Sequence, residues 1–147
     1  MKLYIAYVWE KISREYVSQV FYDHFGTAFP MTEVWDDVHI RLDERLAKEV
    51  PLKAGLLELL KYLKANNYKT IVATSSARVR VDVILKNAQI EQYFDDTICG
   101  DEVIHGKPNP EIFLTACKKL NVAPSEALVL EDSESGILAA YDGKIDV

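Results

Sequence analysis

The sequence has 147 residues, enough for one compact domain or for one domain with a helical attachment. Its hydrophobic and charged fractions, 49% and 27%, are ordinary for a folded chain and argue against disorder. The formal net charge of −6 disfavours nucleic acid and anionic membranes as partners, because both attract basic surfaces. No apolar run is long enough to span a bilayer. Two cysteines in apolar contexts, Cys99 and Cys117, favour a reduced, cytoplasmic setting.

The first third of the chain is predicted to be helical after a short apolar opening. Residues 1–9 are apolar but short and have no small-residue cleavage site, so they predict neither a signal peptide nor a membrane anchor. Residues 14–25 carry apolar residues at helical spacing, and Gly26 is a suitable end for that helix. Thr32 is a candidate cap for a second helix. Residues 50–55, with a proline and a glycine, predict a hinge.

From residue 56 onward, predicted helices and strands alternate. Residues 79–85 alternate between apolar and polar for a few positions, which fits a strand, but the serine-rich start before them favours a helix. The alternation predicts parallel strands joined by helical crossovers, hence a three-layer α/β domain with its chemistry at the carboxyl ends of the strands. The other predicted elements are helices from 56 to about 66, at 110–120 and through 137–141, and strands at 69–74, 97–99 and 127–130.

Three polar clusters fall where predicted strands end or helices begin. Residues 74–76 offer hydroxyls and backbone N–H groups that can hold an anion, although they also fit a simple helix cap. Lys107 lies on a turn stiffened by two prolines and a glycine; the alternative is a solvated surface lysine. Glu131 and Asp132 follow a buried strand, where two carboxylates call for a cation such as Mg²⁺, unless they only cap the next helix. A hydroxyl, an ammonium and a carboxylate pair suit phosphoryl transfer.

In order and spacing, Thr74, Lys107 and the Glu131-Asp132 pair resemble the second, third and fourth motifs of the haloacid dehalogenase (HAD) superfamily. The resemblance covers about residues 14–147. The segments that are similar to the β-phosphoglucomutase-like branch of that superfamily are 71–76, 106–113 and 128–137.

The resemblance implies a role for each of these residues. Thr74 would hydrogen-bond the transferring phosphoryl group, and Lys107 would neutralise charge on the nucleophile and on the phosphoryl oxygens. Asp132 would hold Mg²⁺ directly, with Glu131 as a direct or water-mediated ligand. The residues at positions where this branch contacts substrate are Ser75, Ser76 and Arg78.

The resemblance fails at the first motif of the superfamily. That motif is an apolar strand ending in Asp-x-Asp, which supplies the nucleophile and the general acid and base. Residues 3–8 are apolar but lead to Glu10 without Asp-x-Asp. The pair Asp95-Asp96 has the wrong spacing and is better explained as a loop before an edge strand.

The resemblance nevertheless implies a HAD-like Rossmannoid parallel sheet with helices on both faces, plus the remnant of a helical cap. We assign residues 1–48 to the partial cap and residues 49–147 to the core. The core is expected to be incomplete, without its first strand and its C-terminal elements, as in a truncated derivative of a longer enzyme. Because family sites also draw metal ligands from the first motif, Mg²⁺ binding is expected to be weak or absent.

The leading interpretation is therefore a Mg²⁺-dependent phosphatase domain for a small phosphorylated metabolite such as a sugar phosphate, inactive as this chain because the nucleophile is missing. A β-phosphoglucomutase-type phosphomutase is the alternative within the family. A non-catalytic, self-associating module is the alternative from another class. Because a lost interior strand leaves hydrogen-bonding edges and apolar side chains uncovered, we expect at least a dimer, with residues 1–12 or the exposed core strand in the contact.

Overall fold

The computed structural model describes residues 2–5 and 14–147, with side chains from residue 16 onward. Among these residues, no helix combines the length and the apolar composition that crossing a membrane requires. The strands are β1 (Lys2–Ile5), β2 (Ile71–Ala73), β3 (Asp96–Ile98) and β4 (Ala127–Leu130). The α-helices are α1 (Arg14–Phe25), α2 (Met31–Lys48), α3 (Leu56–Ala65), α4 (Arg78–Asn87), α5 (Glu111–Lys119) and α6 (Glu134–Asp142).

The four strands form one parallel sheet in the order β3-β2-β1-β4. Side chains alternate across β2, so that Ile71 and Ala73 face one apolar cluster and Val72 faces another. The first cluster includes Phe113 and other buried residues of α5 and α6, and the second includes Leu60 and other buried residues of α3 and α4. This arrangement confirms the predicted α/β fold with a parallel sheet and helices on both faces.

An interior strand is present where the sequence predicted none. Strand β1 lies between β2 and β4, and Ile5 is in register with Val72 on one side and with Leu130 on the other. The expectation that the core lacks its first strand is therefore wrong. It relied on Asp-x-Asp as the marker of that strand, whereas pairing within a sheet uses backbone groups, which any extended segment supplies. The open interior edge was the reason to expect a dimer, so self-association loses this support.

The sheet also continues beyond β4. Leu128 and Asp146 form a parallel bridge, and the N–H of Val129 donates to the Asp146 carbonyl at 2.7 Å. Ile145 is buried in the cluster formed by α5 and α6. The residues after α6 therefore supply part of the C-terminal closure that the sequence predicted to be absent.

Helix α2 is attached to the core through α4. The Arg80 guanidinium pairs with Asp43 at 2.8 Å, and the Asn87 amide donates to the Leu46 carbonyl at 3.0 Å. The prediction that Thr32 caps this helix is wrong, because the helix begins at Met31 and Thr32 lies inside its first turn. Pro30 occupies the capping position without a side-chain hydrogen bond. Its ring fixes φ near the helical value, so the helix can begin without a polar cap.

Proline at position 4 tests the interior position of β1. Every backbone N–H of an interior strand faces a neighbouring strand, and proline has none. We expect Tyr4→Pro to lower the free energy of unfolding by about 1–3 kcal/mol, the cost of a buried unsatisfied backbone group. Urea unfolding measures it, with Tyr4→Ala as the control that keeps the N–H. Equal unfolding midpoints for the two variants would contradict an interior β1.

Candidate active site

The polar clusters lie along one edge of the sheet. Thr74 follows β2 directly, Glu131 follows β4 directly, and all strands are parallel, so both residues lie at the carboxyl edge. Strand β1 separates them, which places their backbones about 10 Å apart at the usual spacing of neighbouring strands. Lys107, on the turn before α5, reaches the same edge, because its ammonium contacts Glu131. The structure thus brings Lys107, Glu131 and Asp132 together, with Thr74 on the other side of β1.

Lys107 and Glu131 form a buried ion pair. The distance from Lys107 Nζ to Glu131 Oε2 is 2.7 Å, and the two side chains are 3% and 0% exposed. The ammonium also lies 4.7 Å from the centre of the Phe113 ring, a favourable cation–π position. Burial lowers the pKa of Lys107, while the hydrogen bond to Glu131 and its charge oppose that shift. Lys107 is therefore not the solvated surface lysine that its sequence context also allowed.

The second oxygen of the Glu131 carboxylate is used by the start of α6. Oε1 accepts hydrogen bonds from the Asp132 N–H at 3.2 Å, the Ser133 N–H at 3.1 Å and the Ser133 hydroxyl at 2.9 Å. Ser133 in turn caps α6 by accepting from the Gly136 N–H at 3.1 Å. Because both carboxylate oxygens are engaged and the side chain is fully buried, Glu131 anchors Lys107 in this arrangement.

Asp132 presents its carboxylate to solvent. Its side chain is 53% exposed, and Oδ2 lies 2.7 Å from the Lys53 ammonium. A hard, accessible carboxylate oxygen is what Mg²⁺ prefers, so Asp132 fits the metal that the family implies. Among the residues that the structure describes, the fit is partial. Mg²⁺ requires six ligands, of which Asp132 supplies one, and Glu131 is already bonded to Lys107 and Ser133.

The hydroxyl residues after β2 form a tight turn. The Thr74 side chain is largely buried, its N–H donates to the Ile98 carbonyl at 3.0 Å, and its hydroxyl accepts from the Ser76 N–H at 3.2 Å. Ser75 and Ser76 are half-buried. Helix α4 has Ala77 at its capping position, with no side-chain capping bond. The simple explanation that these hydroxyls cap the helix is therefore excluded.

The structure does not bring Arg78 to the Lys107–Glu131 pair. Its guanidinium contacts the Thr97 hydroxyl on β3, which is the edge strand farthest from β4, and the Glu102 carboxylate. The Arg78 N–H donates to Asp101 at 3.1 Å. Arg78 thus ties the start of α4 to the loop after β3.

A metal is a poor fit for the neighbouring group of Cys99, Asp101 and Glu102, although their ligand atoms lie close together. Both acids already bind Arg78, through its N–H and its guanidinium. Burial raises the pKa of the Cys99 thiol to about 12, which adds to the cost of forming the thiolate that a metal would bind.

Sequence reasoning missed several residues that shape the site. Glu111 accepts the N–H groups of Ile104 and His105 at 2.8 and 2.9 Å, which fixes the loop before Lys107; these bonds lower the pKa of Glu111. Gly136 leaves room for Glu131, because a Cβ there would lie 2.1 Å from the carboxylate. The only signal in the sequence was that Glu111 lies in segment 106–113 and Gly136 in segment 128–137. Their contacts form only when the chain folds.

The contact between Gly136 and Glu131 predicts a stability effect. Gly136→Ala must displace the buried carboxylate and with it the Lys107 pair, so we expect the free energy of unfolding to fall by about 1–3 kcal/mol. Gly106→Ala is the matched control, because a Cβ at Gly106 meets nothing within 4 Å. Thermal and urea unfolding measure the difference. Identical losses in both variants would show that Glu131 can move without cost.

Comparison with known proteins identifies the family. Residues 9–142 match the family model described as haloacid dehalogenase-like hydrolase, and the chain belongs to this family. The resemblance seen in the motifs is confirmed at that level.

Two of the curated relatives are described as phosphatases. A phosphorylated carbohydrates phosphatase of Thermotoga maritima is 39% identical over 106 residues, 72% of this chain and 48% of the relative. A validoxylamine A 7'-phosphate phosphatase of Streptomyces hygroscopicus subsp. limoneus is 43% identical over 86 residues, 58% of this chain and 40% of the relative. The chain thus spans less than half the length of these two relatives.

Solved structures share the fold. A Thermotoga maritima protein assigned to the β-phosphoglucomutases superposes with a TM-score of 0.79 at 22% identity, over 99% of this chain and 82% of the other. A HAD-superfamily hydrolase from Geobacter sulfurreducens gives a TM-score of 0.74 at 19% identity, over 99% and 84%. At these identities the likeness concerns the fold alone.

Proposed function

We propose that this chain carries part of a Mg²⁺-dependent phosphoryl-transfer site for a small phosphorylated metabolite. The observation that carries the proposal is the buried Lys107–Glu131 pair beside the exposed Asp132 at the carboxyl edge of a parallel sheet. A lysine held by a buried carboxylate keeps its charge and its position, which is what stabilising phosphoryl oxygens requires. A cytoplasmic location belongs to the same proposal.

Each residue takes a separate task in this site. Thr74 contacts the transferring phosphoryl group, together with the turn that Ser75 and Ser76 form. Lys107 neutralises charge on the phosphoryl oxygens, and Asp132 holds Mg²⁺. The metal ion, when bound, polarises the phosphoryl group and offsets its negative charge. Arg78 stays a weaker candidate for substrate contact, because its guanidinium is engaged by Thr97 and Glu102.

The substrate class follows from the relatives only as a proposal. Two relatives are described as phosphatases of phosphorylated carbohydrates and of validoxylamine A 7'-phosphate. A phosphorylated sugar or polyol is therefore the class that we propose for this chain, with hydrolysis ahead of intramolecular phosphate transfer. Phosphatases and phosphomutases of this branch share the core, so the residues described here do not distinguish the two reactions.

The nucleophile is the part that this sequence does not supply. No Asp-x-Asp occurs in it, and among residues 1–13 the one carboxylic acid is Glu10, which lies outside the described residues. Ala6 directly follows β1, at the position relative to the strand where the family has its first aspartate. We propose that the chain by itself has negligible turnover and that its phosphate and metal groups are otherwise in place.

Restoring the first motif tests this proposal. We expect the double variant Ala6→Asp/Val8→Asp to hydrolyse p-nitrophenyl phosphate in the presence of Mg²⁺, because it places Asp-x-Asp directly after β1. Ala6→Asn/Val8→Asn is the matched control and should have no turnover above the native chain. Adding Asp132→Asn to the aspartate variant should lower the rate about 100-fold, through loss of the metal. A folded aspartate variant no faster than the asparagine control would refute the proposal.

Self-association is a separate proposal. Its original basis, an open interior edge, is removed by β1, and a contact through residues 1–12 falls largely outside the described residues. What still supports it is the apolar outer face of α6, where Ile137, Leu138 and Tyr141 are 43%, 45% and 76% exposed. We expect a dimer in light scattering, and a dimer weakened by Leu138→Lys. A monomeric mass at high protein concentration would exclude the non-catalytic, self-associating module.

A further inference from the structure

We infer that Lys53 occupies the cation position at Asp132 and must be displaced before a metal ion can bind there. This inference rests on the proposed function, in which Asp132 is the metal ligand. The Lys53 ammonium lies 2.7 Å from Asp132 Oδ2, although the two residues are 79 positions apart in the sequence. Lys53 belongs to the linker between α2 and α3, and Asp132 to the short segment between β4 and α6.

The backbone of the linker fixes where Lys53 stands. Its carbonyl accepts from the Leu56 N–H at 3.2 Å, which closes a turn immediately before α3. Gly55 has a φ of +81°, a conformation that side chains with a Cβ rarely adopt, so this turn depends on glycine. On the far side of the linker, the Asp43–Arg80 pair holds α2 against α4. The backbone of Lys53 is therefore held in place, and from there its side chain reaches Asp132.

The charges around the carboxylate pair account for the contact. Glu131 and Asp132 are adjacent, and two neighbouring carboxylates repel each other unless cations are near. Lys107 neutralises Glu131 in the interior, and Lys53 neutralises Asp132 at the surface. Each of the two carboxylates thus has an ammonium group within 2.7 Å.

A divalent ion competes with this arrangement. Mg²⁺ binds oxygen at about 2.0–2.1 Å and keeps ordered waters around it, so it needs the space at Asp132 that the ammonium now fills. The ion and the ammonium also repel each other at that distance. Lys53 therefore lowers the affinity of Asp132 for Mg²⁺, and metal binding breaks the contact between Lys53 and Asp132.

Calorimetric titration of the full chain with MgCl₂ tests this coupling without relying on turnover. We expect Lys53→Met to tighten the dissociation constant about two- to fivefold, the size of effect that an exposed ion pair exerts. Lys61→Met removes the same charge from an exposed position on α3 and should leave the constant unchanged. Lys53→Arg, which keeps the cation, should bind Mg²⁺ as the native chain does. Asp132→Asn should abolish the binding.

The outcomes separate this inference from the function on which it rests. Equal constants for Lys53→Met, Lys61→Met and the native chain, with binding still lost in Asp132→Asn, would make the pair an ordinary surface contact and overturn the inference alone. Mg²⁺ binding that survives Asp132→Asn would overturn the metal site and the inference together. Tighter binding in Lys53→Met alone supports both.

Discussion

The buried pair between Lys107 and Glu131 is the interaction on which the rest of this edge depends. Removing two charges from water is costly, and leaving either partner unpaired costs about 3–5 kcal/mol, so the pair persists only with further hydrogen bonds. These come from the N–H groups of Asp132 and Ser133 and from the Ser133 hydroxyl, just before α6, where the positive end of the helix dipole also favours a carboxylate. Gly136 is required for the same reason, because its lack of a side chain leaves space for the carboxylate.

Strand β1 occupies the centre of this arrangement. Its carboxyl end lies between the Thr74 turn on β2 and the ion pair on β4, so the residues that follow it decide what the edge can do. Pairing in the sheet requires only the backbone groups of an extended chain. Catalysis in this family requires the two aspartates of the first motif. A strand can therefore complete the fold and leave the chemistry incomplete. The proposed function therefore makes stability and activity separable in this chain.

Sequence reasoning predicted those features that leave a local pattern in the sequence. Alternation of apolar helices and strands predicted the parallel sheet. The polar residues after 73 and 130 predicted that polar clusters lie at its carboxyl edge. Both signals are local in the sequence. The role of β1 had no such signal, since Lys2–Ile5 pairs through its backbone. Arg78 was predicted to contact substrate, but its partners Thr97 and Glu102 lie 19 and 24 residues away and become neighbours only after folding.

The two lysines also reduce the electrostatic need for a metal ion at this edge. In sites where unpaired carboxylates or thiolates converge, metal binding supplies folding free energy, and the protein unfolds without it. Here the Lys107 and Lys53 ammonium groups already neutralise Glu131 and Asp132. A metal ion bound at Asp132 must replace one of these contacts, so its net contribution to stability is small. The Lys107–Glu131 pair is buried and permanent, whereas the Lys53–Asp132 pair is exposed and exchangeable. In the proposed site the ion would serve the reaction, while the two lysines hold the carboxylates that follow β4.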